Sequence, residues 1–450
     1  MKRKGLLHVK NKHTWRAGYG VRDITPKIGS VMVGYWDDFR STAVHDPLET
    51  AVLCVEDGKG TRALVITFDL CLLRYRPIEK IASAVQKATG IPRRLQMFNC
   101  SHTHSGPAFD SPRDFADGAP WVLAPDGTPY FEYLIGQTVA AARDAVAALH
   151  PVQASVSRVQ VGSNINRDII TPDLKYHYLS DHKHLAPLAG GVVDNYLGIL
   201  SLRDAQSHKL DYLVVNYSCH PVNVGVTTTA ISADYVGVFR QVIRESGCTQ
   251  PVFIQGGTGN THPRLPESGY SAARRHGEYL AETALNHSYD SAQSSADWVT
   301  GESYAGRYGL RSLGIRGRMV DYSFKLSPQA LPAYRRMCKD PYGKGVTGRR
   351  KDGLYMKTAL QVLQIGDIAL CGLPGELMSE LALQIKWNSP CRHTWMSGLS
   401  TDWISYINHR FAFVHKGYET TATVLDPLGG YRMADRFIRE LHALQGRPQA

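Results

Sequence analysis

His102 and His104 stand two residues apart in Asn99-Cys100-Ser101-His102-Thr103-His104-Ser105-Gly106-Pro107, just before a Ser-Gly-Pro break. Residues two apart on an extended backbone face the same side. The spacing therefore predicts both imidazoles on one face at a strand end. Neutral imidazole binds metal and also works as an acid or base near neutral pH. Three further places set a ligand-type residue at or just past the end of a predicted strand. They are His220 in Ser218-Cys219-His220-Pro221, Glu376 in Leu373-Pro374-Gly375-Glu376, and Tyr406 with Tyr418. Two histidines and a carboxylate are a common zinc-hydrolase set that leaves one position for water. Glu376 follows Pro-Gly and is read as opening a helix, whose dipole favours a carboxylate in its first turn. Arg167, in Asn164-Ile165-Asn166-Arg167-Asp168, is a substrate clamp or a surface arginine. Taken singly, each residue also has a plain structural reading, and tyrosine most often packs. Spacing alone reaches as far as a metallohydrolase.

The elements that must position these residues follow from hydrophobic period and punctuation. Leu48–Glu56 and Arg62–Leu70 are β-rich runs, and Asp57-Gly58-Lys59-Gly60 between them is a hairpin signal. Residues 76–89 have helical spacing and end at Gly90, a suitable C-cap. Residues 95–100 then form a strand running into the histidine pair. A polar site at the carboxyl end of such a strand is where α/β folds usually place chemistry. Further along, helices are expected over 130–149, 236–245, 270–287, 377–387 and within 428–444. Strands are expected over 153–161, 195–204, 209–217, 252–255, 359–363, 368–371 and 394–399. Residues 172–190 read as a loop, and 299–323 as strands and turns. The expected fold class is mixed α/β: an N-terminal extension over 1–15, then one large catalytic domain over 16–450 with mixed sheets flanked by helices.

The totals narrow the function classes. The 450 residues are 43% hydrophobic and 20% charged, ordinary for a globular protein, and carry a formal charge of +11. Part of the excess is local, in Arg335, Arg336, Lys339, Lys344, Arg349, Arg350 and Lys351. No nucleic-acid-binding motif accompanies that run and aromatic interleaving is thin, so it reads as a solvated loop and no nucleic-acid partner is expected. The eight cysteines include no Cys-x-x-Cys pair, which argues against a disulfide framework and a thiolate zinc site. The start, Met1-Lys2-Arg3-Lys4, lacks the apolar core of a signal peptide, and no run approaches a membrane span. A cytoplasmic protein without a transmembrane segment is expected. No sequence repeat of fixed period is visible.

The order and context of these pieces go further than their spacing. The chain resembles the neutral/alkaline, non-lysosomal ceramidase family, in its N-terminal catalytic domain. Gly18-Tyr19-Gly20-Val21-Arg22-Asp23-Ile24-Thr25 looks like the family's opening, Val33-Gly34-Tyr35 its Met-Gly-Tyr, and Val44-His45-Asp46-Pro47-Leu48 its entry to paired strands. Ser101-His102-Thr103-His104-Ser105-Gly106-Pro107 is very similar to Thr-His-Thr-His-Ser-Gly-Pro, the most specific match. Asn166-Arg167, His220-Pro221, Leu373-Pro374-Gly375-Glu376, Gly398-Leu399-Ser400-Thr401-Asp402, and Tyr406 through Gly417-Tyr418-Glu419 resemble later family elements, in family order.

The resemblance implies zinc held by His102, His220, Glu376 and Tyr406, with His104, Arg167 and Tyr418 around the scissile amide and the polar head of the substrate. It implies a zinc-dependent amidohydrolase that cleaves an N-acyl bond with metal-activated water. It implies a lipid-like or small N-acyl substrate. Asp168 stands where the family has serine, and Asp181-His182-Lys183-His184 is more polar than a lipid-chain pocket needs. The resemblance ends one helix after Tyr418, so a compact member without the family's immunoglobulin-like C-terminal domain is expected. The alternatives are a zinc hydrolase or amide-forming enzyme acting on an ester, lactam or cyclic amide, and an inactive binding protein with the same fold.

Overall fold

The computed structural model describes residues 15–34, 39–108, 122–173, 175–179, 183–225, 228–247, 250–264, 267–288, 308–309, 314–330 and 346–446. Three times along the chain, two antiparallel strands are followed by a helix and a third strand that lies parallel to the second. The first such module is Glu49–Glu56, Arg62–Phe68, helix Tyr75–Thr89 and strand Gln96–Cys100. The second is Tyr196–Asp204, Leu210–Tyr217, helix Tyr235–Glu245 and strand Gln250–Gln255. The third is Gly353–Ile365, Ile368–Gly372, helix Ser379–Trp387 and strand His393–Ser397. The repetition is one of form, carried by unrelated sequences.

Strands Trp15–Asp23 and His150–Gln160 join the first two modules into one nine-stranded sheet. The third module builds a separate five-stranded sheet with Ile315–Lys325 and Val346–Arg350. The apolar core under helix Tyr130–Ala147 also takes in residues of the other two modules, such as Leu202, Val252, Leu363 and Trp395, while the second and third modules each have a further core, covered by Tyr270–Asn286 and Gly429–Leu444.

Local signals hold well where they are strong. Asp57 Oδ1 accepts the N–H groups of Lys59 and Thr61 at 2.9 Å, closing the expected hairpin. Gly90 caps the first helix at φ +75°, in the left-handed region, with its N–H on the Gln86 carbonyl at 2.8 Å. Other readings need correction. Residues 172–190 are not all loop: Tyr176–Tyr178 pairs with Asp168–Ile170, and Lys183–Leu188 is a 3-10 helix. The helix expected from 377 starts at Ser379, and Glu376–Leu377 is a short strand parallel to Tyr406–Ile407. The partner that makes it a strand lies far along the chain, so no local signal marks it. Within 299–323, only 308–309 and 314–323 are among the described residues; so are 349–351 of the basic run, while its members 335–344 lie outside them.

The third strands of the three modules meet end to end at a buried polar knot. Asn99 Nδ2 donates to the Gln255 carbonyl at 3.0 Å, the Ser397 hydroxyl at 3.2 Å and the Gly398 carbonyl at 2.9 Å, while Asn99 Oδ1 accepts the Gln255 N–H at 2.8 Å. One asparagine thus registers all three carboxyl ends, which point to the same side. Loops leaving that side carry the candidate site.

The second core contains a buried imidazole whose titration has a readable consequence. His276 stacks on Tyr235 at 4.2 Å between ring centres and pairs through Nδ1 with Asn223 Oδ1 at 3.0 Å. Burial, helped by His262, pushes its pKa from 6.5 down to about 3. Folding therefore favours the neutral ring. That stability is present above the unfolded value of 6.5 and is lost as pH falls from there towards 3. Urea unfolding at pH 7 and pH 4.5 is expected to show a loss, and His276→Gln to remove roughly 2 kcal/mol of it. An unchanged pH dependence in the variant would show that His276 is not the group responsible.

Candidate metal centre

His102 follows the Asn99 strand end, but not on extended backbone. The strand stops at Cys100, and His102 has φ +70°. A non-glycine residue held in that region stores roughly 1–2 kcal/mol of strain. The conformation is fixed by Ser101 N–H on the Phe68 carbonyl at 2.8 Å and His102 N–H on the Leu70 carbonyl at 3.0 Å. The same-face expectation for His102 and His104 thus reaches the right outcome by a different route. A turn, not a pleat, brings the two rings together, 5.0 Å apart and nearly perpendicular.

His220 leaves the second strand of the second module, and Glu376 leaves the second strand of the third. His102 Nε2 lies 3.2 Å from His220 Nε2, and Glu376 Oε2 lies 3.3 Å and 3.2 Å from those two nitrogens. All three side chains are buried. The far nitrogens are engaged: His102 Nδ1 by the Cys71 carbonyl at 2.7 Å, His220 Nδ1 by the Thr261 carbonyl at 3.1 Å. A carbonyl only accepts, so each Nδ1 carries the proton and each Nε2 offers a lone pair. Two such nitrogens and a carboxylate oxygen with no hydrogen-bond donor of its own then face one another. Three acceptors this close need a shared proton or a cation between them. Divalent zinc suits this N,N,O donor set.

The three groups bear strongly on one another's charge. Burial lowers the His102 pKa, but the Cys71 sulfur and Glu376 outweigh it and hold the group well above the ordinary value. Burial, then Arg167, pushes His220 down to about 3. Burial works to raise Glu376, but the two imidazoles, His102 foremost, hold it well below the usual carboxylate range. A proton on any of these three donor atoms is what a metal would displace.

Tyr406 is placed beside Glu376 by the parallel pairing of Glu376–Leu377 with Tyr406–Ile407. Burial, then Glu376, raises its phenol pKa well above the ordinary value. Tyr418 meets the Tyr406 ring at 5.7 Å and the Tyr178 ring at 5.4 Å, and burial likewise raises its pKa, so it keeps its O–H. Arg167 lies under this aromatic wall, 5.4 Å from the Tyr178 ring centre and 5.5 Å from that of Tyr406. Its Nε donates to Glu419 Oε1 at 2.6 Å and its Nη2 to the Gly259 carbonyl at 2.8 Å. Nη1 is 3.4 Å from His220 Nε2. Most of the guanidinium fork is therefore committed to the protein, and Nη1 is the nitrogen turned to the centre. All seven residues singled out from the sequence lie in one neighbourhood.

Several residues that hold the centre left no local mark. Trp403 Nε1 donates to Glu376 Oε1 at 3.0 Å, which turns Oε2 towards the histidines. Cys71 and Thr261 supply the carbonyls that set the imidazole tautomers. The run Gly256-Gly257-Thr258-Gly259-Asn260 braces two walls at once: Gly259 gives its carbonyl to Arg167 and its N–H to the Leu377 carbonyl at 2.9 Å, and Asn260 Oδ1 accepts the Ser379 N–H at 2.9 Å. A Cβ on Gly259 would lie 2.8 Å from the Glu376 carbonyl oxygen, so only glycine permits this approach.

Gly34 plays the same part for His104. It has φ +118°, and a Cβ there would lie 2.5 Å from His104 Cγ. His104 also lines a small apolar crevice with Met32, Val33 and Phe39. Burial, then His102 and His220, keeps the His104 ring neutral by holding its pKa well below the ordinary value. Gly34→Ala is expected to displace that ring and lower kcat about 10²-fold through the loss of geometry, with metal content unchanged. Normal turnover in a correctly folded variant would remove His104 from the chemistry.

A mixed α/β fold that gathers two histidines and a glutamate from three modules into one buried centre defines the kind of protein this is. Neither a protein-family model nor a curated protein matches the chain. Among solved structures it is similar to neutral ceramidase from Pseudomonas aeruginosa, with a TM-score of 0.72 and 19% sequence identity, covering 97% of this chain and 75% of that one. It is also similar to a ceramidase complexed with C2, with a TM-score of 0.72 and 18% identity, covering 97% and 76%. The chain thus has the neutral ceramidase fold, which is the fold that its motifs imply.

Proposed function

We propose that the chain is a zinc-dependent amidohydrolase that cleaves an N-acyl bond. The observation that carries this reading is the meeting of His102 Nε2, His220 Nε2 and Glu376 Oε2 within 3.2–3.3 Å, with both Nδ1 atoms already engaged by carbonyls. Likeness in fold to ceramidases, which cleave an amide, supports the choice of bond. His102, His220 and Glu376 would hold the ion, with Tyr406 completing the set. When bound, zinc supplies Lewis acidity towards a carbonyl and lowers the pKa of water.

The chain's own residues do the rest. His104, neutral and beside the ligands, takes a proton from the attacking water and returns it to the departing amine. The Tyr418 O–H donates to the oxygen that gains negative charge as the carbonyl becomes tetrahedral. Arg167 Nη1 orients the polar end of the substrate. Trp403 and the 256–260 loop keep these groups from moving, so little reorganisation accompanies reaction. The substrate class is taken to be a small or lipid-like N-acyl compound, on the likeness in fold to ceramidases. Among the described residues no helix is long and apolar enough to cross a membrane. We place the protein in the cytoplasm on the free thiols of its six described cysteines.

Zinc-loaded protein is to be offered a long-chain ceramide and a short-chain N-acyl amine, with products read by mass spectrometry. Release of the fatty acid from ceramide assigns a lipid substrate. Cleavage of the short amide alone keeps the chemistry and removes the lipid. No cleavage of either, with zinc bound, overturns the amidase reading in favour of ester, lactam or cyclic amide substrates.

A further inference from the structure

A permanent cation beside a metal ligand is an electrostatic problem, and this site has one. Arg167 Nη1 lies 3.4 Å from His220 Nε2, the atom that would bind zinc. Guanidinium does not lose its proton in proteins, so the charge cannot be shed. Both groups are buried, where charges are poorly screened and like charges repel strongly. Left uncompensated, Arg167 would oppose a divalent ion at its own ligand.

The compensation sits on the far side of the guanidinium. Glu419 Oε1 accepts from Arg167 Nε at 2.6 Å, and the two side chains are 1% and 5% exposed. Glu419 is placed by the short helix Tyr418–Ala422, so it shares an element with Tyr418. Two other carboxylates bear on this pair: Glu376, which faces the centre, and Asp168, which is tied to the Tyr176 hydroxyl at 2.8 Å. Packing alone would not call for a carboxylate here, because a buried ion pair seldom outperforms an apolar pair in stability. The two tyrosine rings over Arg167 would pack as well against an uncharged chain.

We propose that Glu419 is a charge-compensating residue of the metal centre, neutralising Arg167 so that the guanidinium can reach the reacting groups without expelling the ion. The inference rests on the zinc reading of the site. In its terms Glu419 acts through Arg167 and touches neither metal nor substrate, so it is a positioning residue.

The test measures zinc affinity of the full chain by competition with a chromophoric chelator, at one pH and ionic strength, beside circular dichroism for folding. Glu419→Gln keeps size and a hydrogen-bond acceptor and removes the charge. It is expected to weaken zinc binding about 10- to 100-fold, the usual scale for groups behind metal ligands. Arg167→Met combined with Glu419→Gln removes both charges and is expected to restore affinity to within about threefold of the parent, because the two residues are coupled. A structural role alone would leave the double variant as weak as the single one.

An affinity of Glu419→Gln within about threefold of the parent overturns the inference, as does a double variant that fails to recover. A parent protein that binds no zinc overturns the zinc reading itself, and the inference with it. If Glu419→Gln does not fold, Arg167→Met is compared with the double variant. The variant that keeps Glu419 must then bind zinc more tightly, and equal affinities overturn the inference.

Discussion

His220→Ala is expected to yield a folded protein that carries no zinc and does not turn over. The ring is 1% exposed and its Nε2 faces both His102 and Glu376. Removing it leaves one imidazole and one carboxylate from the buried trio. It also leaves the Arg167 guanidinium with no ligand between it and the centre. Zinc per chain, measured by plasma mass spectrometry after gel filtration, should fall from one to below about 0.1, as expected when one of few ligands is lost. Turnover should drop at least about 10³-fold, because Lewis acidity and acidified water are lost together. Truncating a buried ring costs about 2–4 kcal/mol of stability, so a melting curve belongs beside the metal analysis. Stoichiometric zinc in the variant would refute the ligand assignment.

Tyr418→Phe separates metal from chemistry in the opposite way. The ring contacts to Tyr406 and Tyr178 survive the change, and the O–H does not. Zinc should remain at one per chain. A well-placed donor to a developing oxyanion contributes roughly 3–4 kcal/mol, so kcat should fall about 10²- to 10³-fold while KM moves little. Should kcat stay the same, Tyr418 is a packing residue and another donor serves the oxygen.

The sequence by itself determined the elements whose signals are short-range, and the residue types available for chemistry. The Asp57–Gly60 hairpin, the Gly90 cap and the helices over 130–147 and 270–286 follow from turn chemistry and period, which act within a few residues. The histidine pair, His220, Glu376, Tyr406, Arg167 and Tyr418 could be named because motif order carried them, while spacing alone stopped at a metallohydrolase. What the tertiary structure decided is every relation between distant segments. Glu376 reads locally as a helix start and is a strand, because its partner is Tyr406. His102 and His220 become one site across 118 residues only because Asn99 registers the ends of three modules. No role could be read for Trp403, Gly259, Gly34 or Glu419, although the last two stand in family-like motifs, since each acts through a side chain or carbonyl that chain order does not place beside it. Local propensity is a property of neighbours in sequence, whereas tautomers, charge compensation and close approach are properties of neighbours in space.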